Sequence, residues 1–258
     1  MNPRRIAVSV ADEIGRITIN RPEIRNALDL ETLVEIEETV KNWDREPEVK
    51  VIVITGAGDK IFASGADLRE LSRRTAIEAL NPNMSGVYRT IEKCGKPTIA
   101  AINGHAAGGG LELALACDIR IAAEHAKLGL PELGLAIVPG AGGTQRLSRI
   151  IGKGRALELI LTGDLIPAAK AEAIGLVSRC VPFEELDAAV MEYAAKLKKK
   201  GPLAVRLAKA AIHHGADIDM ETALLLEKYA QSILMGTADK LEGTTAFLEK
   251  REPRFKGK

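Results

Sequence analysis

The sequence predicts an α/β fold that ends in a helical region, and three observations carry that prediction. Strand-like and helix-like patterns alternate along most of the chain. Several strand candidates are unbroken apolar runs, as in a sheet covered on both faces. From "FEELDAAVMEYAAKLKKKG" to "AFLEK" the strand signals vanish. The expected organisation is a core over residues 1–200 and a helical region over 201–258.

Taken in order, "IAVSVADEIGRITIN" (6–20) alternates about Gly15 and reads as a β-hairpin with one buried face. In "RPEIRNALDLETLVEIEETVKNWDRE", Asp29 is placed to cap a helix whose Leu33, Ile36, Val40 and Trp43 recur at helical spacing. "VKVIVITG" (49–56) is a β-branched run ending at glycine, the pattern of a strand buried on both faces. A helix is expected between Arg69 and Arg89, interrupted near Asn81-Pro82, because proline removes a donor and disfavours helix at the residue before it. "KPTIAAINGHA" (96–106) reads as one buried strand, "LELALACD" as a helix, "IRIAA" (119–123) as a strand and "AKLGLPELGL" as irregular. "GGTQRLSRIIG" and "GRALELILTG" read as helices with Gly152 and Gly163 as stops, and "GLVSRCV" as a short strand.

With 258 residues, 46% hydrophobic and 28% charged, the chain can bury a sizeable core and is far from the composition of disorder. A formal net charge of +1 gives no global pull toward nucleic acid or an anionic membrane, so an anionic ligand must be held locally. Cys94, Cys117 and Cys180 come without a CxxC or a Cys/His cluster, which supports neither disulfides nor zinc. The basic start "MNPRRIAVSVADEIG" is interrupted by Asp12 and Glu13 and lacks the apolar core of a signal peptide, and no apolar run reaches membrane-spanning length. The expected setting is the cytoplasm, with neither nucleic acid nor membrane as a partner.

The chemistry concentrates in three stretches. In "HAAGGGLELALACD" (105–118), glycines precede an apolar helix, where unpaired N–H groups and the positive end of the dipole make an anion site. The Gly109 N–H would stabilise charge developing on a carbonyl oxygen. From the glycines alone, tight strand-to-helix packing is an equal reading. "KIFASGADLREL" (60–71) would aim the Ala66 N–H at the same oxygen, although taken alone it reads better as a turn in which Asp67 caps a helix starting at Leu68. Ser64 lacks the G-x-S-x-G elbow of a nucleophile. "KLGLPELGLAIVPGAGGTQRL" (127–147) places Glu132 after Pro131 among apolar residues, where burial raises a carboxyl pKa toward that of a proton donor. Glu112, in the first turn of its helix, is expected to be favoured as the anion by the dipole.

Together, "FASGADLREL", "NGHAAGGGLELALACDIRIAAEHAKLGLPELGL" and "PGAGGTQRL" closely resemble the crotonase, or enoyl-CoA hydratase, superfamily, and the resemblance runs from "INRPEIRNAL" to "AFLEKREPRFKG". It implies a ββα spiral core with a C-terminal helical region that builds homotrimers, commonly paired into hexamers. It implies an acyl-CoA thioester substrate and no metal or redox cofactor, coenzyme A being part of the substrate. By position it makes the N–H groups of Ala66 and Gly109 the oxyanion-hole donors, with Glu112 and Glu132 as the catalytic pair of an enoyl-CoA hydratase. For CoA it points to Ile24, Arg25, Ala63, Ala66, Asp67, Leu68 and Gly108. Lys60 and Arg69 would sit near phosphates, and Phe247 and Lys250 would reach a neighbouring subunit. Glu23 departs from the pattern, since many relatives carry a basic or small residue there. "GGGLELALACDIR" and "DKLEGTTAFLEKREPRFKGK" look especially like the methylglutaconyl-CoA hydratase subgroup, so branched, dicarboxylic and cyclic enoyl-CoA substrates are alternatives, as is a non-catalytic acyl-CoA-binding protein. Some members of that subgroup bind AU-rich RNA through a lysine-rich helix. The matching stretch here carries Glu31, Glu35, Glu37 and Glu38 with only Lys41 nearby, which repels phosphate and argues against RNA.

Overall fold

The structure is a computed structural model and describes residues 5–258, so residues 1–4 of the basic start lie outside it. Strands β1 (Ile6–Ala11) and β2 (Ile14–Ile19) pair antiparallel from Ile6 with Ile19 to Ala11 with Ile14. The turn between them is Asp12-Glu13, at φ 51° and 64°, and not Gly15 as the alternation predicts. A two-residue turn with both φ positive matches the twist of the flanking strands. Gly15 lies inside β2 for another reason, because a Cβ there would stand 2.6 Å from Cε3 of Trp43.

Trp43 belongs to α1 (Leu30–Arg45), whose Thr32 N–H donates to the Asp29 carboxylate at 2.9 Å, and Leu33, Ile36 and Val40 are its buried apolar side chains. Next come β3 (Val51–Gly56), β4 (Ile61–Ala63), α2 (Leu68–Leu71) and α3 (Asn83–Lys93), with a 3₁₀ turn at Glu78–Leu80 and Pro82 directly before α3. The expected break at Asn81-Pro82 is therefore present, within a segment more divided than one interrupted helix. Residues 96–106 form two strands instead of one, β5 (Thr98–Ile102) and β6 (His105–Ala107). Asn103 separates them: its side chain accepts from Gly56 N–H at 2.9 Å and donates to Gly58 O at 2.8 Å. These bonds tie the end of β5 to the loop after β3 and send the chain into a different sheet.

The chain continues through α4 (Gly109–Ala116), β7 (Ile119–Ala123), β8 (Lys127–Gly129), α5 (Gly143–Ile151) and α6 (Lys153–Thr162). Then follow β9 (Ile166–Pro167), α7 (Ala168–Ala173), β10 (Arg179–Val181) and α8 (Leu186–Lys198). The helices α9 (Pro202–Gly215), α10 (Met220–Met235) and α11 (Ala238–Leu248) end the fold. Among the described residues the strands form two sheets, ordered β1-β2-β3-β5-β7-β10 and β4-β6-β8-β9. From β2 to β10 the larger sheet is parallel, and both of its faces are covered. Ile52 and Ile54 pack into the main core with α1 and α3, while Val51 and Val53 face Leu186, Ala189 and Val190 of α8. This two-sided burial is why "VIVIT" shows no polar alternation. The α/β architecture is the predicted one.

Candidate active site

The two sheets bring distant loops together. β4 and β6 run parallel and end side by side at Ala63 and Ala107. Beyond Ala107, Gly108 adopts φ 54° and ψ −130°, a conformation that excludes side chains, and turns the chain into α4. Beyond Ala63, Gly65 lies at φ 89°, where a Cβ would come within 2.8 Å of the Gly109 nitrogen. Backbone therefore meets backbone, and Ala63, Ala66, Gly108 and Gly109 are gathered at the N-terminus of α4. Leu28 N–H donates to Gly65 O at 2.8 Å and holds the loop in place. Asp67 accepts from Arg69 N–H at 2.7 Å and caps α2, so the capping turn and the close approach to α4 occur in the same loop. Tyr88 of α3, which the sequence reading missed, donates its O–H to Gly109 O at 2.6 Å.

Glu112 lies buried on α4, and its Oε1 accepts from the N–H groups of Ala141 at 2.8 Å and Gly143 at 2.7 Å. Its pKa is raised, contrary to the expectation from the helix dipole. Burial is the largest cause, opposed by the hydrogen bonds from Gly143 and Ala141 and by the charge of Arg146. The dipole argument fails because Glu112 is the fourth residue of α4 and its own N–H already bonds Gly108 O at 3.0 Å, leaving the unpaired amides a turn behind it.

Glu132 opens a 3₁₀ turn directly after Pro131, as its loop position predicts. Its Oε1 lies 3.0 Å from where a Cβ on Gly108 would stand, and Oε2 is buried with no hydrogen-bond partner among the described residues. An unpaired buried oxygen disfavours the carboxylate. Burial pushes the Glu132 carboxyl up to about 7, with the charge of Glu112 adding to the rise. Both acids thus touch Gly108, one through its own N–H and the other through its carboxyl group.

The remaining predicted residues are more dispersed. Arg25 and Lys60 meet, with Pro22, Ile61, His105 and His125, around an open depression of about 490 Å³ at the starts of β4 and β6. Those strands end at the α4 N-terminus, so this depression and the glutamates lie at opposite ends of the small sheet. Ile24 sits in the 3₁₀ turn at Pro22–Ile24, while Leu68 and Arg69 are exposed on α2. Phe247, 82% exposed, is the penultimate residue of α11 and Lys250 lies just past the helix, which has no extensive packing against β4, β6 or α4.

The enoyl-CoA hydratase/isomerase family model matches residues 10–258. The chain belongs to this family. A crotonyl-CoA hydratase of Syntrophomonas wolfei is 46% identical over 252 residues, 97% of each chain. A short-chain-enoyl-CoA hydratase of Clostridium acetobutylicum is 42% identical, covering 98% of this chain and 97% of that protein. Among solved structures, an enoyl-CoA hydratase from Bacillus anthracis superposes with a TM-score of 0.95 at 46% identity, covering 98% of this chain and 100% of the other. As a member of the enoyl-CoA hydratase/isomerase family, the chain shares its relatives' architecture along nearly its full length. Among the described residues, no helix is long and apolar enough to cross a membrane.

Proposed function

We propose that the protein is an enoyl-CoA hydratase that adds water reversibly across the 2,3 double bond of a 2-trans-enoyl-CoA. The observation that carries this reading is the pair of acids at Gly108, one held by two amides and the other with a buried oxygen lacking a partner among the described residues. The relatives named crotonyl-CoA hydratase and short-chain-enoyl-CoA hydratase make a short acyl chain the first substrate to test.

The thioester oxygen lies between the N–H groups of Ala66 and Gly109. Its polarisation draws electron density from C3, where water attacks, and gives C2 enolate character. Glu112 accepts a proton from the water as its oxygen bonds C3, and Glu132 delivers a proton to C2. The product gains one water, and dehydration runs with the roles reversed. Because the two carboxyls interact, they titrate as a coupled pair. No metal or redox cofactor enters these steps, and coenzyme A remains part of the substrate. Ile24, Arg25, Lys60, Ala63 and the strip Ala66–Arg69 contact CoA, with Phe247 and Lys250 supplied by a neighbour in a homotrimer or a hexamer. The free cysteines fit a cytoplasmic enzyme.

The test follows the loss of the conjugated-thioester absorbance of crotonyl-CoA. Glu112→Gln and Glu132→Gln keep shape but remove acid–base function, and each should lower kcat by about 10²–10⁴-fold. Near-normal turnover in both variants would discard the mechanism. Binding of crotonyl-CoA without turnover by the unaltered protein would favour a non-catalytic acyl-CoA carrier instead.

A further inference from the structure

We propose that Arg146 is a positioning residue for Glu112, clamping the 141–143 turn whose amides hold the Glu112 carboxylate and setting a fixed positive charge behind it. Arg146 lies on α5 and its side chain folds back over that turn, where Nη1 donates to Ala141 O at 2.9 Å. Its backbone N–H also donates to Gly142 O at 2.8 Å. Gly142 sits at φ 107°, and a Cβ there would overlap Nη1, so the turn is bare where the guanidinium rests on it. Ala141 is thereby fixed through its carbonyl by Arg146 while its N–H holds Glu112 Oε1 at 2.8 Å.

The guanidinium is itself held by Glu92 of α3 in a two-point pair, Nε to Oε1 at 2.9 Å and Nη2 to Oε2 at 3.2 Å. The two side chains are only 11% and 17% exposed. A buried cation needs such a partner, and the planar fork allows one side chain to bridge α3 and the turn together. The charged and titratable groups facing Glu112 among the described residues are Tyr88 from α3, Arg146 from α5 and Glu132 from its 3₁₀ turn, while Glu92 of α3 lies against Arg146. Arg146 is the one cation in that set. Its charge opposes the burial that raises the Glu112 pKa, so it favours the anion that a water-activating base requires.

The kinetic part rests on the hydratase reading, and a titration of Glu112 by carboxyl ¹³C NMR does not. In the full-length protein, Arg146→Gln should lower kcat on crotonyl-CoA about ten- to a hundredfold, the loss of one charge-assisted contact, with KM little changed. The Glu112 midpoint should rise, and the acidic limb of the kcat profile should move to higher pH with it. Arg146→Lys keeps the charge and should keep that limb, yet it loses part of kcat because an ammonium lacks the fork. A folded Arg146→Gln protein with the original midpoint and limb overturns the proposal. If that variant does not fold, Arg146→Lys and Glu92→Gln decide, and unchanged kcat in both overturns it. If the unaltered protein does not hydrate crotonyl-CoA, the functional reading falls while the NMR titration still judges the role of Arg146.

Discussion

Glu132 carries a buried oxygen that finds no donor among the described residues, whereas Oε1 of Glu112 receives two amide hydrogens at 2.7 and 2.8 Å. That asymmetry has a direction in pH. In the proposed mechanism hydration needs Glu132 protonated, and with its carboxyl pushed up to about 7 the hydration rate should fall as pH rises through that value. Dehydration of a 3-hydroxyacyl-CoA needs Glu132 ionised and should rise over the same interval. Initial rates measured in both directions across neutrality check this, and a hydration rate flat through pH 7 would remove Glu132 as the donor. Stability shifts too. The folded pKa of Glu132 is raised above its ordinary value, so its contribution to stability is complete below about 4.5 and is lost as pH rises through about 7. Glu132→Gln should therefore be more stable than the unaltered protein at pH 8, by no more than about 1–2 kcal/mol once solvent screening of the half-buried carboxyl is allowed for, and so unfold at a higher temperature. Thermal unfolding at acid and alkaline pH measures the difference.

The contact between the β4–α2 loop and the N-terminus of α4 depends on Gly65, because any side chain there meets the Gly109 nitrogen. Gly65→Ala should push the two segments apart and lower kcat by about 10²–10³-fold, the loss associated with one oxyanion donor, while circular dichroism stays native. Unchanged kcat in that variant would separate the loop from the chemistry. This contact was legible in the sequence as "SGAD" and "GGG", since glycines mark places where backbone approaches backbone. Glu112 and Glu132 were legible because each is an acid amid apolar neighbours, and α1 was legible from its cap and its helical period. Other elements were hidden for physical reasons. The strands β6, β8 and β9 span three, three and two residues, too short to show a period, so the second sheet was invisible as a sheet. The hairpin turn was misplaced because Asp12 and Glu13 occupy positive φ without being glycine. Tyr88 bonds the Gly109 carbonyl 21 residues on and Arg146 pairs with Glu92 54 residues back, and no spacing in sequence encodes those partners.

The C-terminal helices pose a question for the whole molecule. α9 and α10 pair with one another, yet neither has a buried residue, and Leu224, Leu225, Leu226, Tyr229, Ile233 and Met235 are between 39% and 58% exposed on α10. An apolar surface of this kind is costly on an isolated chain and favours association with another copy. If the proposed trimer or hexamer forms through this surface, the protein should sediment as that oligomer, and Ile233→Asp, which would place a charge in the surface, should shift it toward the monomer. In the proposed assembly association also bears on catalysis, because Phe247 lies on α11 and Lys250 just past its end, and α11 has no extensive packing against the small sheet or α4 of its own chain. If a neighbour uses them to grip CoA, Lys250→Glu should raise KM for crotonyl-CoA with little change in kcat, since it removes binding shared by the ground and transition states. Ile233→Asp should raise KM in the same way, and combining the two should add almost nothing, because dissociation has already withdrawn Lys250 from the site. Sedimentation as a monomer by the unaltered protein would defeat this picture, as would a full additional KM effect of Lys250→Glu in the monomeric variant.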